Sequence, residues 1–222
     1  DESSARVGLA YNFVPVDGQE PVEPIDFSGF SWGLQVGHGT IGSKTTGQRQ
    51  AGSVLIADFS DTGTTGGIFG GYNFMLGPVL LGAEVDAEYS DANWDHERFP
   101  TGRSFSVSKK ESFGAALRLG YAFRNAALLY GRIGMANTNF EIEYERGDNE
   151  ATEHERKTGL RYGLGIELPA SPRLALRLDY TFTDYRTLDL LTPLQGPPPL
   201  TRSIETYDTS ESLFRVGTVF RR

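Results

Sequence analysis

The sequence predicts an all-β fold: an eight-stranded antiparallel up-and-down transmembrane β-barrel with short periplasmic turns and long external loops. Three observations carry that prediction. Segment after segment alternates large apolar residues with small or charged ones at a period of two, the spacing of a strand with two unlike faces. The connections between these segments alternate long and short along the chain, as in outer-membrane barrels. No run of about 18 apolar residues exists to make a spanning helix, and the slightly negative mean hydropathy is compatible with a barrel whose lipid-facing and lumen-facing residues average out.

The first alternating segment, Arg6–Phe13, sets Val7, Leu9, Tyr11 and Phe13 against Gly8, Ala10 and Asn12. The stretch VPVDGQEPVEP behind it reads as an extended linker. Residues 1–27 are therefore assigned to an N-terminal strand-like segment with a Pro-rich linker, and 28–222 to the barrel. The opening segment resembles the closing strand of a barrel. It leaves three readings open: the tail of a preceding barrel, an added ninth strand, or a piece in the periplasm or at a partner's edge. Bacterial barrels keep even strand counts, which ranks the ninth strand last.

The first barrel strand starts at Ser28, with Phe30, Trp32, Leu34 and Val36 opposite Gly29, Ser31, Gly33, Gln35 and Gly37. A polar stretch rich in Gly, Thr and Ser follows to about Gly63. The second strand sets Ile68, Gly70, Tyr72 and Phe74 in one phase and ends in a tight turn, Met75-Leu76-Gly77-Pro78, marked by its Gly-Pro pair. The third places Val79, Leu81, Ala83, Val85, Ala87 and Tyr89 on one face and Gly82, Glu84, Asp86 and Glu88 on the other. After a polar stretch from Ser90 to about Lys110, the fourth strand opposes Phe113, Ala115, Leu117, Leu119, Tyr121 and Phe123 to Gly114, Ala116, Arg118, Gly120 and Ala122. Arg124-Asn125-Ala126 turns the chain. The fifth strand opposes Leu129, Gly131, Ile133 and Met135 to Tyr130, Arg132 and Gly134, and its phase slips near Asn137, which predicts a bulge or the membrane's edge there. The sixth sets Leu160, Tyr162, Leu164, Ile166 and Leu168 against Arg161, Gly163, Gly165 and Glu167. Pro169–Pro172 turns it into the seventh, where Leu174, Leu176, Leu178, Tyr180 and Phe182 oppose Ala175, Arg177, Asp179 and Thr181. A proline-rich loop, Pro193–Pro199, precedes the eighth, with Phe214, Val216, Thr218 and Phe220 against Arg215, Gly217 and Val219.

The second face thus collects Glu84, Asp86, Glu88, Arg118, Arg132, Arg161, Glu167, Arg177, Asp179 and Arg215 among glycines and alanines. An eight-stranded barrel is only wide enough for side chains to fill, so these charges must neutralise one another as a lumenal network. On the other face Phe30, Trp32, Tyr72, Phe74, Tyr121, Phe123 and Phe220 fall at one height, an interfacial aromatic girdle. Phe113, Tyr89, Tyr162, Tyr180 and Phe182 lie nearer the opposite rim.

Function classes narrow accordingly. The chain of 222 residues carries a net charge of −8, which argues against a nucleic-acid partner. It has no cysteine, hence no disulfide or thiolate metal site. No secretory leader precedes Asp1, so an exported chain would here be a processed one. The histidines His38, His96 and His154 fall in or beside the long loops. His38 with Thr40, and His154 with Glu153 and Glu155, are the candidate catalytic groupings, but no nucleophile and base share one strand face, so no enzyme activity is expected. The loop EIEYERGDNEATEHERK holds seven acids and three bases; clustered carboxylates suit divalent cations that bridge lipopolysaccharide phosphates, yet no regular calcium-loop spacing is present. No metal or cofactor is assigned.

The segments DFSGFSWGLQVGHG, GGIFGGYNFMLGPVLLGAEVDAEY and FRVGTVF resemble the small eight-stranded outer-membrane β-barrel proteins, the OmpA/OmpX-like group and especially its α-proteobacterial surface-antigen branch. The likeness covers about residues 26 to 222. It implies location in the outer membrane of a Gram-negative cell, contact with lipid and lipopolysaccharide, and a structural or surface-interaction role without catalysis. A protein partner would meet the loops at 38–63, 90–110, 138–156 and 184–210, or residues 1–27. Members end on a phenylalanine, whereas here Arg221 and Arg222 follow Phe220, and Arg222 takes the outward slot. Two alternatives are a soluble lipocalin-like carrier with its apolar face inward and a narrow channel.

Overall fold

Residues whose side chains alternate between two environments pair their backbones as strands, and here they do so almost end to end. The computed structural model describes residues 26–48, 54–98, 103–123, 127–146, 149–191 and 204–222. Among them are nine strands: β1 (Gly29–Gln48), β2 (Val54–Leu76), β3 (Val79–Ser90), β4 (Asn93–Arg98), β5 (Arg103–Ala122), β6 (Leu128–Arg146), β7 (Asn149–Ser171), β8 (Leu174–Leu191) and β9 (Ile204–Arg221). Eight of these close a barrel. Antiparallel pairing runs β1–β2–β3–β5–β6–β7–β8–β9, and β9 returns to β1 with Trp32 opposite Phe220. The short β4 continues the line of β3 and pairs with β5 alone.

The alternating faces sort by chemistry. Leu117 and Leu164 are each 65% exposed on the outer wall, while Arg118 is 3% and Arg177 1% exposed inside. A soluble carrier would reverse that arrangement, so the lipocalin-like alternative falls: the apolar face looks out.

The stretches expected to be loops at 38–63, 90–110, 138–156 and 184–210 are largely strand. A strand needs about 9–11 residues to cross a bilayer, yet β2 and β7 each run for 23. Their outer parts continue as β-ribbons, for example Thr40 opposite Thr62 and Glu141 opposite His154. The ladder of backbone hydrogen bonds does not require apolar side chains, so these extensions carry no hydropathy signal. His38 and His154 accordingly stand exposed on β1 and β7, and His96 lies in β4.

The bulge expected near Asn137 lies beside it, on the neighbouring strand. β6 keeps one phase through Asn137, with Ala136, Thr138 and Phe140 all buried. The extra residue sits across from it in β5, where Lys109 pairs with Phe140 but Ser112 with Thr138. What changes near Asn137 is the outward face, which turns polar as the strand leaves the apolar band. A second shift falls between Asp184 and Thr187 in β8. The line of β3 breaks at Asp91–Ala92, where Asp91 Oδ1 accepts from Thr64 N–H at 2.7 Å.

At the opposite end the connections are tight. Gly77 and Pro78 form a two-residue turn in which Gly77 has φ +61°, a conformation costly for a residue with a Cβ. Gly77→Ala should lower stability by about 1–2 kcal/mol, read as a shift in the guanidinium midpoint of the folded barrel in detergent. Pro169, expected in a turn, lies in β7; the turn is Pro172–Arg173. Before β1, Ser28 N–H and hydroxyl both donate to the Asp26 carboxylate at 2.8 Å, and these bonds hold that carboxyl below its ordinary pKa. Phe27, 1% exposed, turns into the barrel end against Leu80, Leu128 and Tyr130. The segment Arg6–Phe13, the turn 124–126 and the Pro193–Pro199 loop lie outside the described residues.

Candidate functional site

Six strands deliver the charges expected inside, because alternate residues of each must point to the lumen once the apolar set faces out. The structure brings all ten together in one connected cluster. Arg177 grips Glu84 with both terminal nitrogens, at 2.6 and 2.9 Å, and its Nε donates to Asp179 at 2.6 Å. Arg118 lies 2.5 Å from Glu167 and 3.5 Å from Glu84. Arg132 spans Asp86 at 2.9 Å, Glu84 at 3.3 Å and Asp179 at 3.7 Å. Arg161 joins Asp86 at 3.0 Å to Glu88 at 3.4 Å, and Arg215 holds Glu88 by two bonds of 2.5 and 2.9 Å. Bidentate geometry of this kind is the strongest form of the arginine–carboxylate contact.

Several members were not assigned from sequence. Glu211 pairs with Lys109 and accepts from the Tyr185 hydroxyl at 3.2 Å. Arg221 donates to Glu167 at 2.6 Å. Tyr130 donates to Asp179 and is stacked under Arg118, whose guanidinium carbon lies 3.9 Å from the ring centre. Phe69 receives Arg177 in the same way at 4.2 Å. Gln35 donates to Glu88 at 2.8 Å. Strand parity was signal enough for Glu211, Arg221, Tyr130 and Gln35. Lys109 has the wrong parity for the lumen, and only the β5 bulge turns it inward.

With these additions the buried lumen holds six carboxylates and seven cations among the described residues. Some donors remain unmatched: Nε of Arg118, and Nε and Nη1 of both Arg132 and Arg221 have no hydrogen-bond partner. Arg132 Nη1 is close to two carboxylates but not aligned with them, so its contribution is Coulombic. Arg221 packs its flat face on Phe27 at 4.4 Å.

Apolar side chains close the cluster at each end. Phe27, Leu80, Leu128 and Tyr130 form the short-turn end. At the ribbon end Ile41, Ala92, Leu213 and Phe140 are all buried, and the Phe140 ring meets Tyr185 edge-on at 5.4 Å. Small residues make the room: a Cβ on Gly114 would stand 2.6 Å from the Asp86 carboxylate, and one on Gly165 2.1 Å from that of Asp179.

On the outer wall Phe30, Trp32, Tyr72, Phe74, Tyr121 and Phe123 are 45–61% exposed. All lie within a few residues of the short turns, with Phe30 opposite Tyr72 and Phe220 half-buried, stacked on Trp32 at 4.7 Å. His38 and His154 stand exposed, outside the cluster.

Comparison with known proteins agrees with this architecture. The family model described as outer membrane protein beta-barrel domain matches residues 2–220. A 22 kDa outer membrane protein of Rhizobium leguminosarum bv. viciae is 29% identical over 63% of this chain, and the matched part spans 63% of that relative's length. A 31 kDa outer-membrane immunogenic protein of Brucella melitensis biotype 1 is 27% identical over 74% of this chain and 73% of its own. Among solved structures, the outer membrane protein OprG from Pseudomonas aeruginosa superposes with a TM-score of 0.58 at 13% identity, covering 88% of this chain and 97% of that one. The outer membrane protease OmpT from Escherichia coli reaches 0.51 at 8% identity over 87% and 97%.

Proposed function

The chain belongs to the outer membrane protein beta-barrel domain family and resides in the outer membrane, and on that footing we propose that it is a sealed, non-catalytic wall protein with a structural and surface-recognition role. The lumen carries this reading. Its charges neutralise one another across the barrel, and an ion entering it would have to part buried pairs whose separation is strongly unfavourable. The exposed rings near the short turns act as the periplasmic interfacial girdle. Lipid and lipopolysaccharide contact the outer wall, and a protein partner meets the ribbons within 38–63, 90–110, 138–156 and 184–210, or residues 1–27. The Brucella relative's description as immunogenic supports ribbons that face outward from the cell. The barrel unit is residues 28–222, with 1–27 an appended segment whose last side chain docks in the barrel.

Planar-bilayer recording tests the sealed lumen. The reconstituted barrel should give no conductance steps above the bare membrane, and stepwise openings in the unmodified protein would establish the narrow channel instead. Orientation is checked on intact cells, using single cysteines in a chain that has none. His154→Cys should react with a membrane-impermeant thiol reagent while Pro172→Cys stays unlabelled until the outer membrane is broken; the reverse pattern would overturn the assignment.

A further inference from the structure

The lipid-facing wall is not evenly convex. Across β2, β3 and β5 the outward residues Gly70, Ala83 and Ala115 are small, and they floor an open groove of about 780 Å³ between walls that include Phe30, Tyr72 and Met135. The groove follows the cross-strand pairs Phe30 with Tyr72, Tyr72 with Ala83, Ala83 with Leu117, and Leu117 with Ile133. Phe30 is the second residue of β1, whereas Ile133 is the sixth of β6. The groove therefore starts among the rings near the short turns and climbs toward the middle of the apolar band. At that end the next residue after β9 is a cation beside the groove's Phe30 wall: Arg222 is exposed, and its backbone N–H donates to the Phe30 carbonyl at 3.2 Å.

We propose that this groove is a binding site for one phospholipid of the periplasmic leaflet, its phosphate at Arg222 and an acyl chain laid along Gly70, Ala83 and Ala115. The proposal rests on the membrane placement argued above. In hydrocarbon there is no hydrophobic gain from covering an apolar face, so a site must be made by shape. A concave floor of small residues lets a chain touch wall and floor together, and many weak contacts add up. The charge at the foot selects the end of the lipid that enters there.

The test uses the full chain in bilayers of phosphatidylethanolamine and phosphatidylglycerol, extracted into mild detergent and examined by native mass spectrometry. Heat-modifiable gel migration verifies folding of every variant. The unmodified barrel should retain one phospholipid. Ala83→Phe and Ala115→Phe, which fill the groove from exposed positions, should each lower retention about tenfold, the equivalent of losing on the order of ten close carbon contacts. Arg222→Gln should lower it with migration unchanged. Equal retention in the unmodified and filled barrels would overturn the site. So would efficient barrel-to-barrel cross-linking of Ala83→Cys in the bilayer, which would make a second copy the occupant. A barrel that never becomes heat-modifiable in these bilayers would overturn the membrane placement itself.

Discussion

Replacing Glu84 by glutamine should destabilise the folded barrel by about 3–5 kcal/mol, the range for stripping one partner from a buried ion pair. Glu84 lies within 3.5 Å of Arg118, Arg132 and Arg177, and it is 4% exposed. Its removal leaves seven buried cations facing five carboxylates, and Arg132 already has two nitrogens without a hydrogen-bond partner. Arg177→Met should cost less, about 1–3 kcal/mol, although Arg177 makes the better hydrogen bonds. Its loss leaves six cations with six carboxylates, Glu84 keeps two arginines, and Asp179 keeps Arg132 and the Tyr130 hydroxyl. Guanidinium unfolding of the two variants in the same detergent separates the cases. Equal losses, or a larger loss for Arg177→Met, would mean that pair geometry and not charge balance governs the lumen.

Gly165→Ala should also be severe. Gly165 of β7 sits between Tyr130 of β6 and Asp179 of β8 in the sheet. A methyl group there would stand 2.1 Å from Asp179 Oδ1 and 2.3 Å from the Tyr130 hydroxyl. It cannot be accommodated without parting the hydrogen bond between them. Overpacking of about 1–3 kcal/mol adds to the loss of a charged hydrogen bond, about 1.5–3 kcal/mol. A total of about 3 kcal/mol or more is expected, seen as a lower temperature for the heat-modifiable transition. Gly131→Ala is the matched control. Gly131 faces outward, its nearest prospective neighbour is 3.8 Å away, and the change should stay within about 0.5 kcal/mol. Similar losses at both positions would mean that glycine flexibility, not lumenal space, is what β7 requires.

The two predictions draw on residues of unequal legibility. Glu84, Arg177 and Asp179 were visible as a charged face because each interrupts an otherwise apolar alternation. Gly165 was visible only as a small residue in the lumen phase, without the two groups it makes room for. Glu211 and Arg221 share their parity with Arg215, but Glu211 was masked by its polar neighbourhood and Arg221 by its place at the strand's end. Lys109 was out of reach, since a one-residue bulge reverses inside and outside and nothing local in Ser108-Lys109-Lys110-Glu111 marks it. The ribbons read as loops in the sequence because hydrogen-bonded backbone above an apolar band has no hydropathy to reveal it.

By itself the sequence determined which side chains share a face, since a strand's two-residue period leaves no freedom once the apolar set must look toward lipid. It also determined the number of barrel strands and the short connections. Pairing across the lumen was decided by the tertiary structure alone. Glu84 meets Arg177 from 93 positions away, and Glu88 meets Arg215 from 127. Such contacts depend on strand register and closure, which set the height at which opposite walls face each other, and no periodicity along one strand encodes the height of another.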